Sequence, residues 1–346
     1  MRHSRIVLPC ASMLMATSAL LCVATAPTAT GAHSADGGHD RGCSLHSRLV
    51  TSGLEGSLGS AFGPHGRLYV TEGGVGRVAR INVRTGERSV LVSGLPIPPL
   101  GAGGANDVVF VGGRAYALVS VVGEDVGGNS VVGVYRVDGP NEATPVADIG
   151  AWAIANPPES PFSLPSGVQF AVQRYRHDLL VTDGHHNRVL RVDLQGEYGS
   201  NVSEVLPLDN VVPTGIDLRR GAVYLAQAGP VPHLPEDGKV IRFFPGAPVP
   251  QEVASGAPLL VDVEFARGGR LYALSQGHFT PGQPEGSPAD PDTGSLQRVK
   301  RNGTMTPVIE DLDRPTSLEF RNRKAYVVTL DGEVWAFHCR PRHAHS

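Results

Sequence analysis

The sequence predicts an all-β fold, a six-bladed β-propeller with four-stranded blades whose N-terminal strand completes the last blade. Three observations predict it. One strand–turn–strand frame recurs six times, the sixth copy lacks its fourth strand, and a matching strand stands at the other end of the chain.

The frame opens on an apolar strand that ends in an aromatic residue or Leu: GSAF (59–62), DVVF (107–110), GVQF (167–170), GIDL (215–218), DVEF (262–265) and SLEF (317–320). A tight turn leads to a second strand with anchors at Tyr69, Tyr116, Leu180, Tyr224, Tyr272 and Tyr326. These are spaced 44 to 64 residues apart, which suits four strands plus loops. Third strands follow at 77–81, 132–137, 188–192, 239–243, 295–299 and 333–337, five of them carrying Arg at one place: Arg80, Arg136, Arg191, Arg242 and Arg298. Fourth strands close five units at 90–95, 145–150, 204–209, 252–257 and 307–312. The sixth is supplied by RLVTSGL (48–54), which matches VLVSGL (90–95).

The ends of the chain set its organisation. Arg2 and Arg5, an apolar run over 6–24, and Thr30 and Ala32 before a cleavage point have the pattern of a secretory signal peptide over residues 1–32. Residues 33–42 form a polar, Gly-rich flexible leader, 43–339 the propeller, and 340–346 a disordered tail. This predicts a secreted, extracellular monomer with no membrane span. A net charge of −3 gives no basic face for nucleic acid. Of four cysteines, Cys10 and Cys22 leave with the signal peptide, and Cys43 and Cys339 stand at the two ends of the ring, where a disulfide bond would lock it.

In a propeller the loops joining strand 4 to the next strand 1, and strand 2 to strand 3, share a face. Here they are long (96–106, 119–131, 151–166, 226–238, 275–294), so this face is the expected binding face. In the first strands, alternate residues would line the axis, placing five carboxylates there: Asp107, Asp217, Asp262, Glu264 and Glu319. Converging carboxylates repel unless a cation or an arginine intervenes, so Asp107 and Asp262, three blades apart, are the candidate metal ligands for a divalent cation, Ca or Mg. Candidate binding residues at the channel mouth are Glu72, Asn106, Asp183, His185, His186, Asn187, Gln227 and His278. Within DGHHNR (183–188), a histidine would serve as ligand or general base.

The run DGHHNRVLRV resembles NHL-type propeller repeats. FGPHGRLYVTEGG (62–74), VTDGHHNRVLRVDL (181–194), PTGIDLRRGAVYLAQAG (213–229) and PTSLEFRNRKAYVVTLDGEVW (315–335) resemble the ScyD/ScyE family of secreted bacterial proteins, over about residues 45–338. The resemblance implies the propeller and export, and transfers no catalytic residue. No G-x-S-x-G or H-E-x-x-H occurs. The expectation is therefore a non-enzymatic scaffold that binds an extracellular ligand or protein on the long-loop face, with no residue assigned to catalysis. The alternative is a metal-dependent hydrolase of the lactonase-like propeller kind, its cation held by Glu72, Asn106, Asp183 and Asp262.

Overall fold

The computed structural model describes residues 43–159, 162–247, 249–284 and 286–341. The expected signal peptide, the leader and residues 342–346 of the expected tail lie outside them. Strand β1 (Cys43–Thr51) comes first in the chain and last in the ring. Blade 1 is β2 (Ser57–Phe62), β3 (Leu68–Glu72), β4 (Arg77–Ile81) and β5 (Arg88–Ser93). Blade 2 is β6 (Gly104–Val111), β7 (Arg114–Ser120), β8 (Gly133–Gly139) and β9 (Glu142–Asp148). Helix α1 (Ile149–Ala155) then leads to blade 3, formed by β10 (Gln169–Tyr175), β11 (Asp178–Asp183), β12 (Arg188–Val192) and β13 (Val202–Pro207). Blade 4 is β14 (Pro213–Arg219), β15 (Ala222–Gln227), β16 (Lys239–Phe243) and β17 (Gln251–Ser255). Blade 5 is β18 (Leu260–Phe265), β19 (Leu271–Ser275), β20 (Gly294–Val299) and β21 (Met305–Leu312). Blade 6 is β22 (Pro315–Arg321), β23 (Lys324–Thr329) and β24 (Val334–Pro341), with β1 as its outer strand. The expected closure is the observed one, and β24 runs on to Pro341, past the expected domain end. The antiparallel register sets Cys43 opposite Pro341 and Leu45 opposite Cys339, so the two cysteines lie on paired strands two positions out of direct register.

The repeat's signature aromatics meet between blades. Tyr69 packs on Phe110 of blade 2 at 4.6 Å between ring centroids, Tyr224 on Phe265 of blade 5 at 4.7 Å, Tyr272 on Phe320 of blade 6 at 4.9 Å, and Tyr326 on Phe62 of blade 1 at 5.2 Å. Tilted and edge-on pairs at these distances stabilise beyond the area they bury. The frame therefore repeats because the anchor of one blade and the terminal aromatic of the next form one contact.

Blade 3 corrects the sequence reading. Gln173 faces Leu180, as Asp217 faces Tyr224 and Glu264 faces Tyr272. The frame equivalent to GIDL is thus AVQR (171–174), four residues beyond GVQF (167–170), and Val172 rather than Val168 enters the core. The segment holds two overlapping alternating patterns, and an arginine stands where the other blades have Phe or Leu. Phe170 is left at the start of β10, 41% exposed.

The six sheets are separate, so inner strands of neighbouring blades share no backbone ladder. Their inner edges still carry N–H and C=O groups that must be satisfied. Side chains of the preceding blade do this. Asp107 accepts from its own Val108 N–H at 2.8 Å and from Val172 N–H of blade 3 at 2.8 Å. Asp217 accepts from Leu218 at 2.6 Å and from Phe265 of blade 5 at 2.9 Å. Asp262 accepts from Val263 at 2.8 Å and from Leu318 of blade 6 at 2.7 Å. Carbonyls are met in the same way: Thr182 Oγ1 donates to Thr214 O at 2.7 Å, Thr214 Oγ1 to Leu260 O at 2.8 Å, and Asn106 Nδ2 to Gln169 O at 2.7 Å. Glycine is required where the strands close up. A Cβ on Gly59 would lie 2.3 Å from an Asp107 oxygen, and one on Gly215 would lie 2.4 Å from Asp262 Cα.

Thr182 is fully buried and also accepts Ala171 N–H at 3.0 Å. Thr182→Val keeps the shape and orphans two backbone groups. It should lower unfolding free energy by about 1–3 kcal/mol, read as a lower urea midpoint with an unchanged slope.

Candidate functional site

The inner strands touch in a closed ring, β2 to β6, β10, β14, β18, β22 and back to β2. As expected, their alternate residues divide: Val108, Ile216, Val263 and Leu318 are core, whereas all five carboxylates keep partial exposure deep in the molecule. The acid is unevenly placed. At the position facing the second-strand anchor, blades 4, 5 and 6 carry Asp217, Glu264 and Glu319, and blades 1, 2 and 3 carry Ala61, Val109 and Gln173. Burial pushes the carboxyls of Asp107, Glu264 and Glu319 well above the usual range and Asp262 up to about 7. Repulsion adds to this. Glu264 is raised further by Asp217, Glu319 and Asp262, and Glu319 by Asp262, Asp217 and Asp107. The backbone N–H bonds pull Asp107 and Asp262 back down in part.

The proposed metal ligands Asp107 and Asp262 are thus blade latches, with both oxygens of each on backbone amides. Three of the four residues of the alternative cation set have their oxygens engaged by other groups, and the fourth, Asn106, does not. Arg77 grips Glu72 through Nε at 2.7 Å and Nη2 at 2.8 Å, and the Glu55 N–H adds a third bond at 3.0 Å. Arg188 grips Asp183 at 3.3 Å, and Asn106 Nδ2 is tied to blade 3, while Asn106 Oδ1 is buried with no hydrogen-bond partner. Among the described residues no three His, Cys, Asp or Glu side chains converge as a metal site. Glu72 and Arg77, like Asp183 and Arg188, are cross-strand partners at a strand-2 end and strand-3 start, so a guanidinium supplies the compensating charge. Four of the repeat arginines, Arg80, Arg136, Arg191 and Arg242, bond Ser89, Asp138, Asp178 and Gln251 beside them. Gln227 is buried opposite Pro213 and Lys239. Asn187, at φ 52°, caps the turn by accepting Val211 and Val212 N–H at 2.9 and 2.8 Å. His278 is exposed on the blade 5 loop, its N–H on Thr293.

The two histidines of DGHHNR part company. His186 is buried. His186 Nδ1 lies 2.8 Å from Arg188 Nη2 and 3.2 Å from Asp183 Oδ2, and Nε2 lies 2.9 Å from Leu164 O. Arg188 itself is fully enclosed, bonded to Asn156 O at 2.7 Å and set over the Trp152 ring at 4.8 Å. Helix α1, begun by Asp148 accepting Ala151 N–H at 2.8 Å, supplies that lid. On this buried base stands His185, half-buried. Its Nε2 lies 2.7 Å from Ser163 Oγ and 3.3 Å from Ser163 N. A backbone N–H can only donate, so Nε2 is the unprotonated nitrogen and receives the Ser163 hydroxyl proton. Ser163 is exposed, on the loop between α1 and β10. Phe162 stacks edge-on against His186 at 4.9 Å, and the Phe170 ring lies against Gly184, where a Cβ would come within 2.4 Å of it. Both rings are about two-fifths exposed, at 39% and 41%. Sequence reasoning missed Ser163: it sits in PPESPFSLPS (157–166) with no motif around it, and only the Phe162–Ser163 step beside a His pair could have singled it out.

The carboxyl shifts set a pH dependence. Each raised group contributes stability that is fully present below its unfolded value, near 4, and is lost as pH rises through its folded value, about 7 for Asp262. The melting temperature should therefore fall between pH 5 and pH 8. Glu264→Gln, which removes the most crowded charge, should flatten that fall and raise the melting temperature at pH 8; thermal scans across this range check it.

No family model and no curated protein matches the sequence. Solved structures match the fold. A gluconolactonase from Xanthomonas campestris (XC5397) is similar with a TM-score of 0.59 and 14% identity, over 86% of this chain and 90% of that one. Virginiamycin B lyase from Staphylococcus aureus is similar with a TM-score of 0.53 and 12% identity, over 86% of this chain and 99% of that one. The structural neighbours are six-bladed propellers of the NHL and gluconolactonase-like kind, and the chain shares that architecture.

Proposed function

We propose that the protein is a lactonase-like propeller enzyme that opens a small ester or lactone at the long-loop mouth, with His185 as general base. One observation carries this: an imidazole whose unprotonated nitrogen is turned toward a hydroxyl 2.7 Å away, at the solvent edge of a buried group of Asp183, His186 and Arg188. The likeness to a gluconolactonase supports the reaction class. It favours this reading over the expected binding scaffold. No step is assigned to a cation, because three residues of the expected ligand set, Glu72, Asp183 and Asp262, are held by Arg77, Arg188 and backbone amides, leaving Asn106 Oδ1 without a partner among the four. Released acid should be followed by pH-stat across γ- and δ-lactones and short esters. Turnover should persist in chelator and fall about 10²–10⁴-fold in His185→Ala. Turnover abolished by chelator and restored by Ca or Mg would return the mechanism to a cation; no turnover of any substrate would remove the enzyme reading.

The same proposal places the protein outside the cell, as a ScyD/ScyE-like exported propeller acting as a monomer and joined end to end by a Cys43–Cys339 disulfide. Among the described residues no helix is long and apolar enough to cross a membrane. Non-reducing peptide mapping of exported protein should recover the Cys43–Cys339 crosslink, and its loss should cost about 2–5 kcal/mol. Free thiols at both positions would contradict it.

A further inference from the structure

We infer that Ser163 is a covalent nucleophile and that the site takes carboxylic esters or lactones with an apolar acyl group. The inference deepens the lactonase-like reading and rests on it for the substrate class.

The nucleophile stands on geometry that no motif announces. An activated serine needs its hydroxyl hydrogen-bonded to a base, the base in the accepting tautomer, and open space at the oxygen. Ser163 Oγ and His185 Nε2 meet the first condition at 2.7 Å. The Ser163 N–H on the same nitrogen, at 3.3 Å, meets the second, since it holds Nε2 free of a proton. Ser163 is exposed, which meets the third. The base is not a loose surface histidine. It follows Gly184, whose N–H is bonded to Val168 O at 3.0 Å, and precedes His186, which is fixed from both ring nitrogens. The serine loop is anchored one residue on, through Leu164 O to His186, and again at Ser166, whose N–H donates to Asp125 of blade 2 at 2.8 Å. Nucleophile and base thus sit on two loops that the buried Asp183–His186–Arg188 group locks together.

The proton and bond changes balance without any co-reactant but water. Ser163 Oγ bonds to the acyl carbon as its proton passes to His185 Nε2. The bond from that carbon to the leaving oxygen breaks, and the leaving oxygen takes the proton from Nε2. Water then adds to the acyl carbon, giving a proton to Nε2, and Ser163 Oγ leaves with that proton. The net change is ester plus water to acid plus alcohol; with a lactone the alcohol stays tethered to the acid. Specificity comes from Phe162 and Phe170. One packs on His186 and the other on Gly184, the chain neighbours of His185, and both are partly exposed, which suits an apolar acyl chain rather than a sugar acid.

The test is covalent labelling of the full chain with alkyl fluorophosphonates, followed by intact mass and peptide mapping. Phosphorus takes the place of the acyl carbon and fluoride leaves, so labelling requires no turnover. One adduct is expected, on Ser163, absent in Ser163→Ala. His185→Gln keeps a hydrogen-bond acceptor for the serine loop but no base. It should slow labelling at least ~100-fold with the melting temperature unchanged. A dodecyl probe should react faster than an ethyl one, and Phe170→Ala should erase that preference. No adduct on folded wild-type protein, an adduct elsewhere, or an undiminished rate in His185→Gln would overturn the nucleophile. Equal rates for the two probes would overturn the acyl preference. Labelling without lactone turnover would keep the nucleophile and discard the lactonase reading, and turnover without labelling would do the reverse.

Discussion

Closing a ring from separate sheets leaves the inner edge of every first strand without a backbone partner, and the rest of this structure follows from how that is solved. Carboxylates and hydroxyls of one blade reach the amides and carbonyls of the next: Asp107 to Val172, Asp217 to Phe265, Asp262 to Leu318, Thr182 to Thr214 and Thr214 to Leu260. An aspartate fits because it spans two N–H groups, its own neighbour's and the next blade's. Gly59 and Gly215 fit because the adjoining blade's aspartate already occupies the space a side chain would need. The cost is a crowded acidic channel, carried mostly by blades 4, 5 and 6, in which burial and mutual repulsion favour bound protons.

The channel aspartates Asp107, Asp217 and Asp262 are committed to holding blades together. The long-loop face is different, because its segments are free to vary once the ring is closed. There a second buried group, Asp183 with His186, Arg188 and Trp152, spends its hydrogen bonds on clamping two loops rather than on a ligand. Its product is position: Ser163 and His185 meet at the surface beside this buried group. Arg77 and Arg188, from the strand next door, pair with the buried carboxylates of Glu72 and Asp183.

Much of the fold was legible in the sequence. The recurring aromatic-then-Tyr spacing reports a real contact between blades, and RLVTSGL (48–54) at the N-terminus reports a real ring closure. The alternation in DVVF, GIDL and DVEF correctly separated channel carboxylates from core aliphatics. It failed in blade 3, where Arg174 stands in the aromatic position and Phe170 imitates it four residues early. The site was less legible, because side-chain commitment is a tertiary property. Asp107 and Asp262 read alike whether they meet a cation or the next blade's amides, and His185 and His186 are adjacent in sequence yet one is buried and one stands half-buried against Ser163. Ser163 carried no signal, since its meaning arises only when the loop after α1 folds over DGHHNR.

A crystal structure of the protein with a non-hydrolysable phosphonate ester of an apolar acyl group tests the central claim, that the channel holds the ring together while the rim does the chemistry. The account predicts the phosphonate oxygens within hydrogen-bonding distance of Ser163 and His185, the chain against Phe162 and Phe170, and the Asp107, Asp217 and Asp262 latches intact. A ligand or cation seated among Asp107, Asp262, Glu264 and Glu319, with those aspartates drawn off the neighbouring amides, would contradict it.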